Sequence, residues 1–262
     1  MRTAVVIPQY KKPVDLSKDE VAFFNSTLKV LNQRKIYLII PESLEKFWVG
    51  FLNIELITFS DSYFVDKFSY SKLLCKRIFY EAFTSFDFIQ IAQTDCWVFE
   101  DKIDYFASLG FDYIGAPWME GGFDGNPQQK LWKVGNGGFS LRKVGTFLSI
   151  IDTIENGPEG KTPVFKNRRW GIKGVLKNLG IRNNLKHYVE EAPGEDIFWS
   201  IYVTQVFGND IFKIADPKTA AHYSFEVHPE FLFREITRGQ LPMGCHNWMN
   251  NNPEFWKEHI KN

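Results

Sequence analysis

The stretch FDFIQIAQTDCWVFED, residues 86 to 101, decides the fold. Phe88, Ile89 and Ile91 supply the aromatic and β-branched side chains of a strand buried on both faces, and the run halts at a carboxylate, Asp95. Upstream, TAVVIP (3 to 8), KIYLIIP (35 to 41) and IELITFS (54 to 60) read as three more strands of the same apolar kind. Between them SKDE, Ser17 to Glu20, has capping-box spacing ahead of an apolar-periodic helix reaching about Leu31. SLEKFWVGF (43 to 51) reads as a short helix, and a longer one is expected over Ser71 to Phe83. Strands alternating with helices through the first hundred residues predict an α/β fold, a mostly parallel Rossmann-like sheet flanked by helices. In such sheets ligands bind beyond the carboxyl ends of the strands. Asp95 stands at one such end, and Pro8, Gln9 and Tyr10 at another.

The totals narrow the partners. With 262 residues the chain can bury a sizeable core in one domain, or in two closely packed halves of one, the second half being less regular than the first hundred residues. Lys plus Arg equals Asp plus Glu, 31 against 31, so no net field points to nucleic acid. Aromatic residues make up 16% of the chain and several lie beside Gly and Pro, where rings often line sugar or nucleobase sites. Cys75, Cys96 and Cys245 are far apart and form no paired metal-binding spacing, which favours a reducing compartment. The apolar run near the N-terminus is too short for a signal peptide, and no window approaches a membrane span; a cytoplasmic location is expected.

The second half opens with FDYIGAPW (111 to 118), a strand leaving the core. VGNGGFSLRK (134 to 143) follows as a glycine-rich turn entering a strand, and then a helix over Val144 to Ile154. A basic insertion occupies about 157 to 194: Lys161, Lys166, Arg168, Arg169, Lys173, Lys177, Arg182 and Lys186 occur with no acid between Glu159 and Glu190. A helix is expected from near Glu195, with Ile197, Ile201 and Val203 available to the core.

Four features can carry chemistry. Asp95 in QTDCW offers oxygen to a hard divalent cation, which readily combines carboxylate with substrate phosphate; it can equally cap a turn. Gly135, Gly137 and Gly138 allow close backbone approach to a ligand, or simply a tight turn. Glu195 and Asp196 open a helix, where acids are stabilised by the helix dipole and where one can also act as general base. His246 in LPMGCHNW can complete a metal site begun by Asp95 or be structural.

The order of these features, a strand-ending acid, a glycine loop, a Glu-Asp helix and a C-terminal histidine, resembles the core of GT-A-fold glycosyltransferases. QTDCWVF, FDYIGAPW, VGNGGFSLR, EDIFWS and PMGCHNW are more closely similar to a glycosyltransferase family associated with bacterial surface-polysaccharide synthesis. The resemblance implies that Asp95 is the last acid of an Asp-any-Asp motif binding Mn²⁺ or Mg²⁺ against the donor diphosphate, and that His246, with His222 as fallback, contacts the same ion. Gln93 stands where that motif usually has its first acid, with Thr94 between. Gly137 and Gly138 match the loop near donor sugar and acceptor. Asp196 matches the base of inverting members, with Glu195 as neighbour.

The implied activity is hexosyl transfer from a nucleotide sugar, UDP by default, to a glycan or lipid-linked acceptor. Tyr10, Trp118 and Trp248 are candidates for lining the pocket. The resemblance makes residues 1 to 100 the nucleotide-binding half and 101 to 262 the acceptor-side half. The basic insertion, with apolar residues among its cations, can lie peripherally on the inner face of an anionic membrane, or be a solvated helical insertion or a mobile acceptor-side flap. Two rivals stay open. A sugar-nucleotide nucleotidyltransferase would carry a glycine-rich phosphate loop after the first strand, where PQYKKP has cations but no glycine. In a non-catalytic carbohydrate-binding protein the same acids would be merely structural.

Overall fold

The computed structural model describes residues 1 to 50, 54 to 122, 125, 128 to 165 and 172 to 260. Its main sheet contains β1 (Thr3–Pro8), β2 (Lys35–Pro41), β3 (Glu55–Phe59) and β4 (Phe88–Ala92), as expected of the four apolar runs. A short β5 (Cys96–Val98) follows β4, then β6 (Tyr113–Ile114), β7 (Pro117–Met119), β8 (Leu131–Val134) and β9 (Phe139–Lys143). Near the C-terminus lie β10 (Ser224–Phe225) and β11 (Gly244–His246). The main sheet runs β3-β2-β1-β4-β9-β6, with β1 to β4 parallel and β9 antiparallel between β4 and β6.

The unbroken apolar runs follow from burial on both faces. Side chains alternate along a strand, so Ala4, Val6, Ile39, Ile89 and Ile91 point into one layer and Val5, Ile7, Leu38, Ile40, Phe88 and Ala92 into the other. The first layer meets Phe147, Ile150, Ile151 and Ile154 of the helix Val144–Asn156; the second meets Phe23 and Phe24 of the helix Lys18–Val30. Each such side chain contributes about 1.5–3 kcal/mol on burial. Ser17 and Glu20 form the expected capping box.

Three elements differ from expectation. The helix foreseen over Ser71 to Phe83 is two, Lys67–Leu73 and Arg77–Glu81. The Leu74 carbonyl between them accepts from the Tyr80 hydroxyl (2.9 Å) and the Trp199 indole (3.1 Å), where a continuous helix would need it for Ile78. The segment FDYIGAPW is divided between β6, in the main sheet, and β7, in a ribbon with β8. The helix from Glu195 widens into π-turns over Phe198–Val203, which puts Phe198, Trp199 and Val203 in the core and leaves Ile197 and Ile201 half-buried.

A second, three-stranded sheet, β10-β11-β5, is built on the continuation of β4. Its antiparallel register sets Cys96 opposite His246. Under it Trp97, Phe225, Leu232, Cys245 and Trp256 form their own apolar cluster.

Among the described residues one charge sits fully inside. Arg142 on β9 has no solvent exposure, and its guanidinium donates to Glu195 Oε1 (2.9 Å), Tyr80 Oη and Ser140 Oγ (both 3.0 Å). This pair ties the sheet to the start of the Glu195 helix. Removing one partner strands the other's charge in the core, so Arg142→Met is expected to lower stability by roughly 3–5 kcal/mol in urea unfolding, and Arg142→Met with Glu195→Leu to recover most of it.

Candidate active site

β1 and β4 are adjacent and parallel, so their carboxyl ends open on the same edge. There a cleft of about 490 Å³ is lined by Pro8, Tyr10 and Lys11 after β1, by Gln93, Thr94 and Asp95 after β4, and by Phe64, Asp66, Lys67 and Tyr70 opposite. Glu20 at its wall holds the two strand ends together. Its carboxylate accepts from Lys11 Nζ (2.9 Å), from the Ser17 backbone (2.9 Å) and from Thr94 Oγ1 (3.4 Å). Burial opposes that charge, but the Ser17 and Lys11 bonds hold its carboxyl below the usual range.

Gln9 does not face this cleft, contrary to its place among the expected ligand contacts. Its side chain is buried, and Oε1 accepts from the backbone N–H of Tyr10 and Lys11 (both 2.8 Å), which fixes the turn that presents Tyr10. Trp118 and Trp248 lie elsewhere, against Trp132 and Trp97 respectively.

Asp95 and His246 do meet. Pairing of β5 with β11 brings the imidazole beside the turn after β4, where the Asn247 N–H also donates to the Asp95 carbonyl (3.0 Å). His246 Nε2 is 3.3 Å from Asp95 Oδ1 and 3.2 Å from Gln93 Oε1. On the other side of the ring, Nδ1 is 3.1 Å from Glu226 Oε1 and 3.0 Å from Asn136 Nδ2. Burial opposes the imidazolium, but hydrogen bonds and attraction from Asp95 and then Glu226 push its pKa up to about 10. Asp95 is held below the ordinary carboxylate range despite its own burial, by His246. His222 is exposed at the end of the helix Pro217–Tyr223 and is not part of this group.

The glycine loop is the mould for these groups rather than a wall of the cleft. A Cβ at Gly137 would come 1.5 Å from Glu195 Oε1, and one at Gly138 would come 2.2 Å from His246 Nε2. Asn136 between them and β8 adopts φ 66°, and its Oδ1 accepts from the N–H of Gly138 (2.9 Å) and Phe139 (3.3 Å). Of the helix-opening acids, Glu195 is buried on Arg142, whereas Asp196 is only partly covered. Burial, then Glu195 and Glu226, push the Asp196 carboxyl up to about 7.

Two oxygens and one nitrogen thus converge, from Gln93, Asp95 and His246, a donor set that suits Mn²⁺ or a similar divalent ion. The space that a Cβ at Gly138 would fill is what lets Nε2 reach that point. Cys96 Sγ lies in the same cluster, within 4.8 Å of the Asp95 and His246 donor atoms, but burial raises its thiol well above the ordinary value and it donates to the Gly138 carbonyl (3.2 Å). Glu226, Asn136 and Arg142 were not singled out by the sequence. Only Arg142, in FSLRK next to the glycine loop, carried a signal, as a cation inside an apolar strand.

The central, mostly parallel sheet flanked by helices matches the GT-A fold of glycosyltransferase structures. The structure is similar to apo mouse xyloside xylosyltransferase 1, with a TM-score of 0.53 at 9% identity over 94% of this chain and 97% of that one. Weaker likenesses are apo GlyE from Streptococcus pneumoniae TIGR4 (0.48, 14% identity, 100% of this chain and 61% of that one) and galactosyltransferase LgtC in complex with donor and acceptor sugar analogs (0.47, 10% identity, 93% and 86%). The chain belongs to the family described as a protein of unknown function, DUF5672, which matches residues 53 to 246. No curated protein matches it.

Gly138→Ala tests the mould. The added methyl must displace the imidazole from Asp95, so the His246 titration followed by NMR is expected to fall from about 10 toward the free-histidine value. An unmoved midpoint would show that the loop does not set the ring's position.

Proposed function

We propose that this chain is a metal-dependent glycosyltransferase, moving a hexosyl group from a nucleotide sugar, UDP-linked by default, to a hydroxyl of a glycan or lipid-linked glycan. Bacterial polysaccharide or lipopolysaccharide synthesis is the proposed setting. The observation that carries the reading is the meeting of Asp95 and His246 (3.3 Å) at the mouth of a cleft formed by the ends of β1 and β4. Tyr10, with its ring largely exposed, offers a face to a base, and Lys11 and Lys67 offer cations to a diphosphate. Asp95, Gln93 and His246 would hold a Mn²⁺ or Mg²⁺ ion, which when bound stabilises the charge left on the departing diphosphate. A nucleotidyltransferase is less well supported, because the turn after β1 is built on the Gln9 side chain, not on a glycine loop open to phosphate.

Asp196 is the proposed base. A hollow of about 320 Å³ lined by Glu226, Trp118, Met119 and Asn247 is the proposed approach of the acceptor, Glu226 being also one of the carboxylates that bear on Asp196. A carboxyl with a pKa of about 7 is half in its proton-accepting form at neutral pH. Proton acceptance from the side opposite the leaving group gives inversion. Glu195, committed to Arg142, positions its neighbour instead of accepting the proton.

Turnover with a panel of nucleotide sugars and Mn²⁺ is the direct test. Asp95→Ala is expected to abolish it, and Asp196→Asn to cost about 10²- to 10⁴-fold. In the wild type kcat/KM should rise with pH and level off above about 7, because only the deprotonated Asp196 is competent. Near-normal transfer by Asp196→Asn, with Asp95→Ala inactive, would remove the base role and leave the ion-binding role standing.

The basic insertion supports a peripheral membrane contact. Lys166, Arg168, Arg169 and Trp170 lie outside the described residues. In the described part, Val175 (57% exposed), Leu179 (70%) and Ile181 (50%) are interspersed along the chain with exposed Lys173, Lys177 and Arg182, apolar and cationic side chains that both face solvent. Among the described residues no helix is long and apolar enough to cross a membrane. Sedimentation with vesicles containing phosphatidylserine should be strong for the wild type and largely lost on reversing the charges of Lys173, Lys177 and Arg182. Equal sedimentation of both would eliminate the contact.

A further inference from the structure

Glu226 directly follows β10, whose Phe225 pairs with Cys245 of β11, and this sets its carboxylate alongside the ring of His246. Oε1 lies 3.1 Å from Nδ1, and the side chain is 19% exposed. Nε2, across the ring, faces Asp95 and Gln93. For an imidazole to offer a lone pair at Nε2 its remaining proton must sit at Nδ1, and an acceptor beside Nδ1 stabilises that tautomer.

The neighbour on the other side of Nδ1 works against this. Asn136 Oδ1 is committed to the Gly138 and Phe139 N–H groups, so the atom it turns to Nδ1, at 3.0 Å, is its amide nitrogen, a donor. That contact favours a lone pair at Nδ1 and a proton at Nε2, the arrangement that cannot bind a cation. The Glu226 charge favours the opposite arrangement. Charge counts as well: Gln93 is neutral, so Asp95 is the single anion among the three converging donors, and Glu226 supplies a second negative charge one ring away.

We infer that Glu226 is a positioning residue that keeps His246 Nε2 available to a divalent cation and supplies the negative charge that Gln93 does not. The inference rests on reading Asp95, Gln93 and His246 as a divalent-cation site. Its test needs no turnover. The full chain, freed of metal with EDTA and dialysed, is titrated with MnCl₂ while free Mn²⁺ is followed by electron paramagnetic resonance. Glu226→Gln, which keeps the size and loses the charge, should weaken binding about 10- to 100-fold. Adding Gln93→Asp to Glu226→Gln should restore most of the affinity, and by a larger factor than Gln93→Asp gains in the wild type, a non-additivity that a merely structural role for Glu226 would not give. Wild-type binding with an unchanged Glu226→Gln isotherm would overturn the inference and leave the cation site intact. A weakened Glu226→Gln that Gln93→Asp does not rescue would overturn the charge role. Absence of Mn²⁺ binding by the wild type would overturn the cation site and the inference with it.

Discussion

The antiparallel pairing of β5 with β11 is the constraint on which the site depends. It joins the end of the parallel sheet to a strand about 150 residues later, with Cys96 opposite His246. Once that register is set, the imidazole can only lie beside the turn at Asp95, and the Asn247 N–H closes the turn by bonding the Asp95 carbonyl. The energy behind the register is apolar. Trp97, Phe225 and Cys245 of these strands pack with Leu232 and Trp256, and a slip of one residue would turn a strand's own member of that set to the opposite face.

A second constraint acts from below. Arg142 sits on β9, two strands from β1, and its guanidinium spans Ser140, Tyr80 and Glu195. Because Tyr80 and Trp199 both bond the Leu74 carbonyl, the interrupted helix, the sheet and the π-turned helix share one polar node inside an apolar layer. Glu195 can stand there only because residue 137 has no side chain. Asp196 is held at the edge of the same node, next in sequence to a residue that cannot move.

The parallel sheet was legible because burial on both faces leaves a strong mark: continuous apolar runs that end together at carboxylates and capping residues. Asp95, Tyr10 and Thr94 follow from that logic, since strand ends in such a sheet are where side chains meet solvent and ligand. The rest was harder to see for definite reasons. Gln9 looks like a ligand contact, but a glutamine can bond its own following backbone. Helix continuity through Leu74 fails because two distant side chains take its carbonyl. Glu226 is invisible because nothing near it in the sequence distinguishes it; only the pairing of β10 with β11 places it at Nδ1.

The charges around the glycine loop do not balance, and this is the physical character of the site. Four carboxylates, Asp95, Glu195, Asp196 and Glu226, gather around two cationic side chains, Arg142 and His246. Arg142 is taken by Glu195, and His246 stands between Asp95 and Glu226. Asp196 is left without an ion pair among the described residues, and its carboxyl is pushed up to about 7. A cluster of this kind lowers its free energy by gaining positive charge, as it does with a proton on Asp196; a divalent cation at Nε2 would do the same by displacing the His246 proton there. The two are coupled through Glu226, which touches His246 and repels Asp196. Burial comes first in raising the Asp196 carboxyl and the carboxylates of Glu195 and Glu226 add to it, so the same Glu226 charge that braces His246 also bears on Asp196.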